Sequence, residues 1–231
     1  MPQPTARLAE IDLLRGIAIL LMIIFHIVFD LAYFYHWPVD YLNGFWYYQG
    51  KAAAVLFMLV SGISCTLSRN SLQRGLKVLG TGLIITAVTY LLQPAEYIRF
   101  GILHLLGSAM LLAPWLKQYS ALTLAVAGTV CIIAGKLAIT LTLPLPWFIP
   151  LGITPPGFAS LDYYPIFPWL GIVLYGLAAG KLLYPAKQPL WPEAALYRPV
   201  HWLCWLGRHS LPVYLVHQPL ILAGLYLLYT L

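Results

Sequence analysis

Residues 11–34, IDLLRGIAILLMIIFHIVFDLAYF, set four ionisable side chains (Asp12, Arg15, His26 and Asp30) into one apolar run. His26 and Asp30 are one helical turn apart. An imidazole beside a carboxylate is the pair that base catalysis uses, because the carboxylate fixes the tautomer at one ring nitrogen and raises the basicity of the other. Wound as a helix at about 100° per residue, Asp12, Arg15, Ile19, His26, Asp30 and Tyr33 fall on a stripe about 60° wide. The rest of the surface is Leu, Ile, Val and Phe. Such a helix turns an apolar back to lipid and its stripe to a bundle interior, where ionisable groups pair or line a wet cavity. His26 lies about 16 Å further along the helix than Arg15, which puts it near mid-membrane if Arg15 marks a boundary. The plainer alternative is a stripe of ion pairs and hydrogen bonds that only orders the bundle.

Other polar residues gather in a few short stretches. In LGRHSLPVYLVHQP, Ser210 suits an N-cap and Pro212 a first helical turn, so a last helix begins there. Arg208 and His209 then stand at its mouth, with His217 and Gln218 one to two turns inside. Pro219 frees the carbonyl of Leu215, which bends the helix or serves as an acceptor. His104 opens a span in GILHLLG, His36 lies in the first loop, and Asp162 and Tyr163 lead into a span from LDYYPIFPW. Arg69, Arg74 and Lys77 cluster on the opposite side from these. Two sides of different character suggest two ligands arriving from two directions.

The elements that must hold these groups are membrane spans. Of 231 residues, 61% are hydrophobic and 9% charged, and the mean hydropathy is +0.81, whereas a soluble domain is about a quarter charged. The expectation is an all-α, polytopic membrane protein built as a single domain, 1–231, with seven spans near 12–34, 46–67, 77–93, 101–116, 120–142, 165–184 and 211–230. The first span reads as an uncleaved anchor. The Trp-rich connector before the last span reads as interfacial, and GLAAG (Gly176 to Gly180) offers a small-residue face for close packing. With the N-terminus in the cytoplasm, Arg7, Arg15, Arg69, Arg74, Lys77, Lys117, Lys181, Lys187, Arg198 and Arg208 fall inside, and Asp40, Glu96 and Asp162 outside. The net charge of +6 is thus read as membrane topology, and no nucleic-acid partner is expected. Lys51 and Lys136 lie within spans. Cys65, Cys131 and Cys204 are scattered, which signals neither a disulfide framework nor a zinc site, and no metal is expected.

Taken together, EIDLLRGIAILLMIIFHIVFDLAYF, VLFMLVSGIS, FGILHLLG, LDYYPIFPWLGIVLYG and LGRHSLPVYLVHQP resemble the heparan-α-glucosaminide N-acetyltransferase-like family over nearly the full length. The chain looks like a small prokaryotic member. The Arg15-to-His26 spacing is also similar to the first-helix motif of bacterial integral-membrane O-acyltransferases. The resemblance implies a multi-pass protein of a prokaryotic inner membrane, possessing the lipid bilayer as a partner and compatible with a homodimer. It implies transfer of an acetyl or other acyl group from cytoplasmic acetyl-CoA to an amine or hydroxyl of a sugar or glycan on the far side. Arg69, Arg74, Lys77, Arg208, His209, His217 and Gln218 would hold the CoA, and His36, His104, Asp162 and Tyr163 the acceptor. In the larger lysosomal relatives the catalytic histidine is placed in the loop after the first helix, where this chain has His36. His26 and His36 therefore compete for the role. His26 is favoured because Asp30 is one turn away and it lies on the polar stripe, with Arg15 helping to hold CoA or to position the thioester carbonyl. Two rivals stand beside this: a small transporter or lipid-flipping protein using the same His/Asp stripe, and a structural membrane partner without chemistry.

Overall fold

A computed structural model describes residues 8–191 and 198–230. Among them the chain is helical: α1 (Ala9–Tyr35), α2 (Gly44–Leu67), α3 (Ser71–Leu92), α4 (Ile102–Leu116), α5 (Ala121–Ala138), a short 3₁₀ turn (Pro146–Leu151), α6 (Ile166–Leu183), α7 (Arg198–Arg208) and α8 (Ser210–Thr230). Six of these, α1, α2, α3, α5, α6 and α8, are long and apolar enough to cross a membrane. At 15 residues, α4 is about 22 Å long, short of a bilayer core of about 30 Å. The predicted spans are all present as helices. α3 begins at Ser71 rather than near 77, because backbone hydrogen bonding carries the helix outward past the apolar residues that a hydropathy pattern detects. Arg74 and Lys77 therefore lie on the helix, not before it. Arg7 and positions 192–197 of the predicted interfacial connector lie outside the described residues.

The described residues form two compact units, divided within α2 between Phe57 and Met58. In unit 1, α1 packs against the first half of α2, α7 and α8. Ile19, Met22 and Ala53 make its apolar centre, with Phe57, Val213 and Tyr214 against them. The stripe of α1 does face inward: Asp12, Ile19 and Asp30 are buried, and Arg15 and His26 are half-buried. α7 docks on the start of α1 by backbone approach. A Cβ at Gly16 would overlap the carbonyl of Leu203, and one at Gly207 would overlap that of Asp12. Trp202 and Trp205 stay exposed on the other side of α7, as expected of an interfacial helix. At 11 residues it reaches only about 16 Å, too short to span. α8 begins at Ser210, as read from the sequence, and continues through Pro219.

In unit 2, α3 pairs with α4 and α5 with α6, and the second half of α2 lies on α6. The GLAAG face provides that last contact: a Cβ at Gly176 would overlap the carbonyl of Leu59, and one at Gly180 would meet Thr66. Cys65, Ala113, Leu124, Leu174, Leu177 and Ala178 form the apolar core around it.

Candidate functional site

The ionisable stripe of α1 meets α8. His26 and His217 lie edge to face, with ring centroids 4.7 Å apart. One turn further along α1, the Gln218 Nε2 amide donates to both oxygens of Asp30, at 2.7 and 2.9 Å, and Asp30 is fully buried. His217 and Gln218 lie about two turns inside α8, past the mouth where Arg208 stands, at the depth read from the sequence. They stand seven and eight residues into the helix, about 10 Å deeper, against His26 and Asp30.

The pairing of His26 with Asp30 expected from their spacing is replaced by other partners. His26 Nδ1 lies 2.9 Å from the carbonyl oxygen of Met22, four residues earlier. Helical side chains lean toward the N-terminus, so His26 reaches back to Met22 rather than forward to Asp30. The carboxylate, leaning back in turn, is held by two bonds from Gln218. The orienting role survives with a different group. A carbonyl oxygen only accepts, so the proton of a neutral imidazole sits on Nδ1 and Nε2 presents its lone pair. His217 repeats the device, with Nδ1 2.6 Å from the carbonyl oxygen of Tyr214. Its Nε2 is buried and makes no hydrogen bond among the described residues.

Gln49 of α2 belongs to the same interior. Its Nε2 donates to the carbonyl of Leu21 at 2.7 Å, next to the residue that anchors His26. The amide oxygens of Gln49 and Gln218 are buried without partners among the described residues. Three buried acceptors, Gln49 Oε1, Gln218 Oε1 and His217 Nε2, thus lie on the helices around the stripe. Buried acceptors call for donors, and an amine, a hydroxyl or a water supplies them. A single glutamine in an aromatic stretch, GFWYYQGK, carries no spacing signal that would have marked Gln49.

Arg15 donates to Asp12 at 2.8 Å. Arg208 and His209 are exposed at the junction of α7 and α8. The Arg208 Nε donates to the carbonyl of Cys204 at 3.2 Å, and the His209 ring lies 4.6 Å from that of Trp205. Exposed His36 ends α1 in the left-handed conformation at φ 55°. Lys51 lies over the ring of Tyr47 at 5.6 Å.

In unit 2 the residues assigned to an acceptor fasten the start of α4. Asp162 accepts from the Ile102 amide at 2.9 Å. His104 Nδ1 accepts from the Gly101 amide at 3.1 Å, which leaves the ring proton on Nε2, 3.2 Å from the Thr86 hydroxyl. Thr86 in turn donates to the carbonyl of Ile98. Both nitrogens of His104 are therefore engaged within the protein. Tyr163 donates to the carbonyl of Ile149 at 2.7 Å, and burial pushes its phenol up to about 12, so it remains a donor at neutral pH. Arg69, Arg74 and Lys77 are exposed around the start of α3, at the other end of the unit. Among the described residues no group of three or more His, Cys, Asp or Glu could hold a metal.

No curated protein and no solved structure matches the chain. The model of one protein family, described as heparan-alpha-glucosaminide N-acetyltransferase, catalytic, matches residues 7–219. That range takes in His26, His217 and nearly the whole sequence, and the chain belongs to this family of membrane acetyltransferases.

Proposed function

We propose that the chain moves an acetyl or related acyl group from acyl-CoA on the cytoplasmic side of a membrane to an amine or hydroxyl of a sugar or glycan on the far side. The observation that carries this reading is the His26–His217 pair. Both rings are anchored at Nδ1 by backbone carbonyls, which leaves the lone pairs of both Nε2 atoms free of protons in two touching rings, inside a chain of an acetyltransferase family. His26 takes the proton from the acceptor as its nitrogen or oxygen attacks the thioester carbonyl, and the thiolate of CoA leaves. His217 stands where it can accept or return that proton. Asp30 and Gln218 lock the two helices in register beside the pair. The buried carbonyl oxygens of Gln49 and Gln218 suit an acceptor bearing N–H or O–H donors.

The basic residues support the orientation. Arg69, Arg74, Lys77 and Arg208 suit the phosphates of CoA, and the excess of Lys and Arg on that side favours an N-terminus in the cytoplasm. His36, Asp162 and Tyr163 belong to the acceptor side in this reading, while His104 acts there by holding α4. A prokaryotic inner membrane is the setting that fits.

The test is acetyl-CoA turnover by the purified protein with amino-sugar and polyol acceptors. His26→Ala lowers kcat by about 10²- to 10⁴-fold, the range that one proton-transfer group supplies. His36→Ala leaves it within a few-fold of wild type. A wild-type rate in His26→Ala, or an activity that follows His36 instead, overturns the assignment.

A further inference from the structure

Unit 2 contains a second polar feature, remote in sequence from the histidines. A small, half-open cleft lies where α2 ends and α3 begins, lined by Ser61, Ser64, Ser68, Ser71 and Arg74 among others. Ser61 is 6% exposed. Its hydroxyl and that of Ser68 are buried and make no hydrogen bond among the described residues. A buried hydroxyl without a partner is destabilising, so two of them in one cleft point to a polar guest.

The sign of the guest follows from the surroundings. Arg74 lines the cleft. Lys117 Nζ donates to the carbonyl of Ser68 at 2.7 Å, and Lys181 Nζ to that of Lys117 at 2.8 Å. Arg74 and Lys117 thus bring positive charge to this end of the unit, and Lys181 adds to it at the backbone of Lys117. The carboxylates of unit 2 are Glu96 and Asp162. Both lie at the opposite end, by the start of α4, which Asp162 caps. The first turn of α3 begins at buried Ser71, and no side chain caps it. Its free amides add the positive end of a 22-residue helix. The cleft is small and half open, far short of a site that encloses a whole small molecule. It suits one charged group on a larger molecule.

We propose that this cleft is an oxyanion site that seats a phosphoryl group. The Ser61 and Ser68 hydroxyls and the amides at the start of α3 donate to it, and Arg74 pairs with its charge. The phosphoryl group comes from a nucleotide or from a lipid headgroup. If it comes from a nucleotide, the site holds one phosphate of the acyl-CoA donor, and that identification alone rests on the function proposed above.

The test uses the full chain in phosphatidylcholine nanodiscs, with binding of inorganic pyrophosphate measured by calorimetry and by thermal shift. Wild type binds and is stabilised. Arg74→Gln weakens binding at least about tenfold, the loss of a charge-assisted hydrogen bond. Ser61→Ala weakens it several-fold while leaving the melting temperature without ligand unchanged or higher, because the removed hydroxyl had no partner to lose. Equal affinity in all three proteins, or no binding to wild type, overturns the site. Competition then separates the sources. Displacement of pyrophosphate by coenzyme A and not by phosphatidic acid added to the discs supports a nucleotide phosphate, and the reverse supports a headgroup. A protein that binds pyrophosphate through Ser61 and Arg74 yet transfers no acetyl group keeps this site and overturns the proposed function. Acetyl transfer by a wild-type protein that binds no pyrophosphate does the opposite.

Discussion

At the scale of single residues, the interior of unit 1 is arranged around what each imidazole does with its first nitrogen. Because the Met22 and Tyr214 carbonyls take the Nδ1 protons, neither histidine needs a carboxylate to set its tautomer. Asp30 is released for a different task, joining α1 to α8 through Gln218. Removing one partner of this buried bond leaves the other stranded. Asp30→Ala is accordingly expected to lower stability by about 1–3 kcal/mol or more, and Gln218→Leu, which strands the carboxylate itself, by at least as much. Thermal melting of both variants in detergent checks this, and unchanged melting in Gln218→Leu would show that the pair contributes nothing. The spacing of His26 and Asp30 made both visible as inward-facing polar residues, and that part holds. Which of them touches which could not be read, because the answer depends on the register of α8, a segment 188 positions away from Asp30. Gln49 was invisible for a related reason: a lone amide acquires meaning only from what packs against it.

At the scale of elements, helix contact is governed by missing side chains as much as by apolar ones. GLAAG could be read in advance because small residues at close spacing form a recognisable face, and α6 uses it against α2. Gly16 and Gly207 could not. Each is single, and a single glycine in a helical stretch reads only as a weakness. Their function appears once α7 lies on α1, where both allow backbone to approach backbone. Gly207→Ala is therefore expected to force α7 off the start of α1 and to lower stability by about 1–3 kcal/mol or more, as overpacking does. Gly80→Ala is the control. Nothing lies within 4 Å of a Cβ there, and in the middle of α3 it should raise stability by about 0.5–1 kcal/mol. Opposite shifts in melting temperature from two chemically identical substitutions confirm the reading. A Gly207→Ala protein as stable as wild type refutes it.

For the whole molecule, the directions of the first and last spans constrain the topology. α1 and α8 run the same way, since Ile19 and Met22 lie by Val213 and Tyr214, His26 by His217, and Tyr35 by Tyr229. A chain that leaves α1 on one side and enters α8 from the other must cross an odd number of times in between. If α2, α3, α5 and α6 each cross, they alone give an even number, and short α4 would have to cross as a seventh span beside the six that are long and apolar enough. The N-terminus and C-terminus then lie on opposite faces. With the N-terminus in the cytoplasm, a cysteine introduced at Asn70 should be labelled by an impermeant thiol reagent only in opened vesicles. One introduced at Asp40 should react in intact cells or right-side-out vesicles. Labelling of both from the same side would show that α2 does not cross and would remove the seven-span count.

That same geometry sets a schedule for synthesis. The partner of Asp30 is Gln218, and ribosomes add about 5–20 residues per second. A nascent chain therefore holds its first helix in the bilayer for about 10–40 s before the amide that satisfies this carboxylate has been made. Throughout that interval the emerging polypeptide lacks the partner that this carboxylate has in the folded chain. A prematurely terminated chain without α8 would never gain that partner and would also be missing half of the imidazole pair.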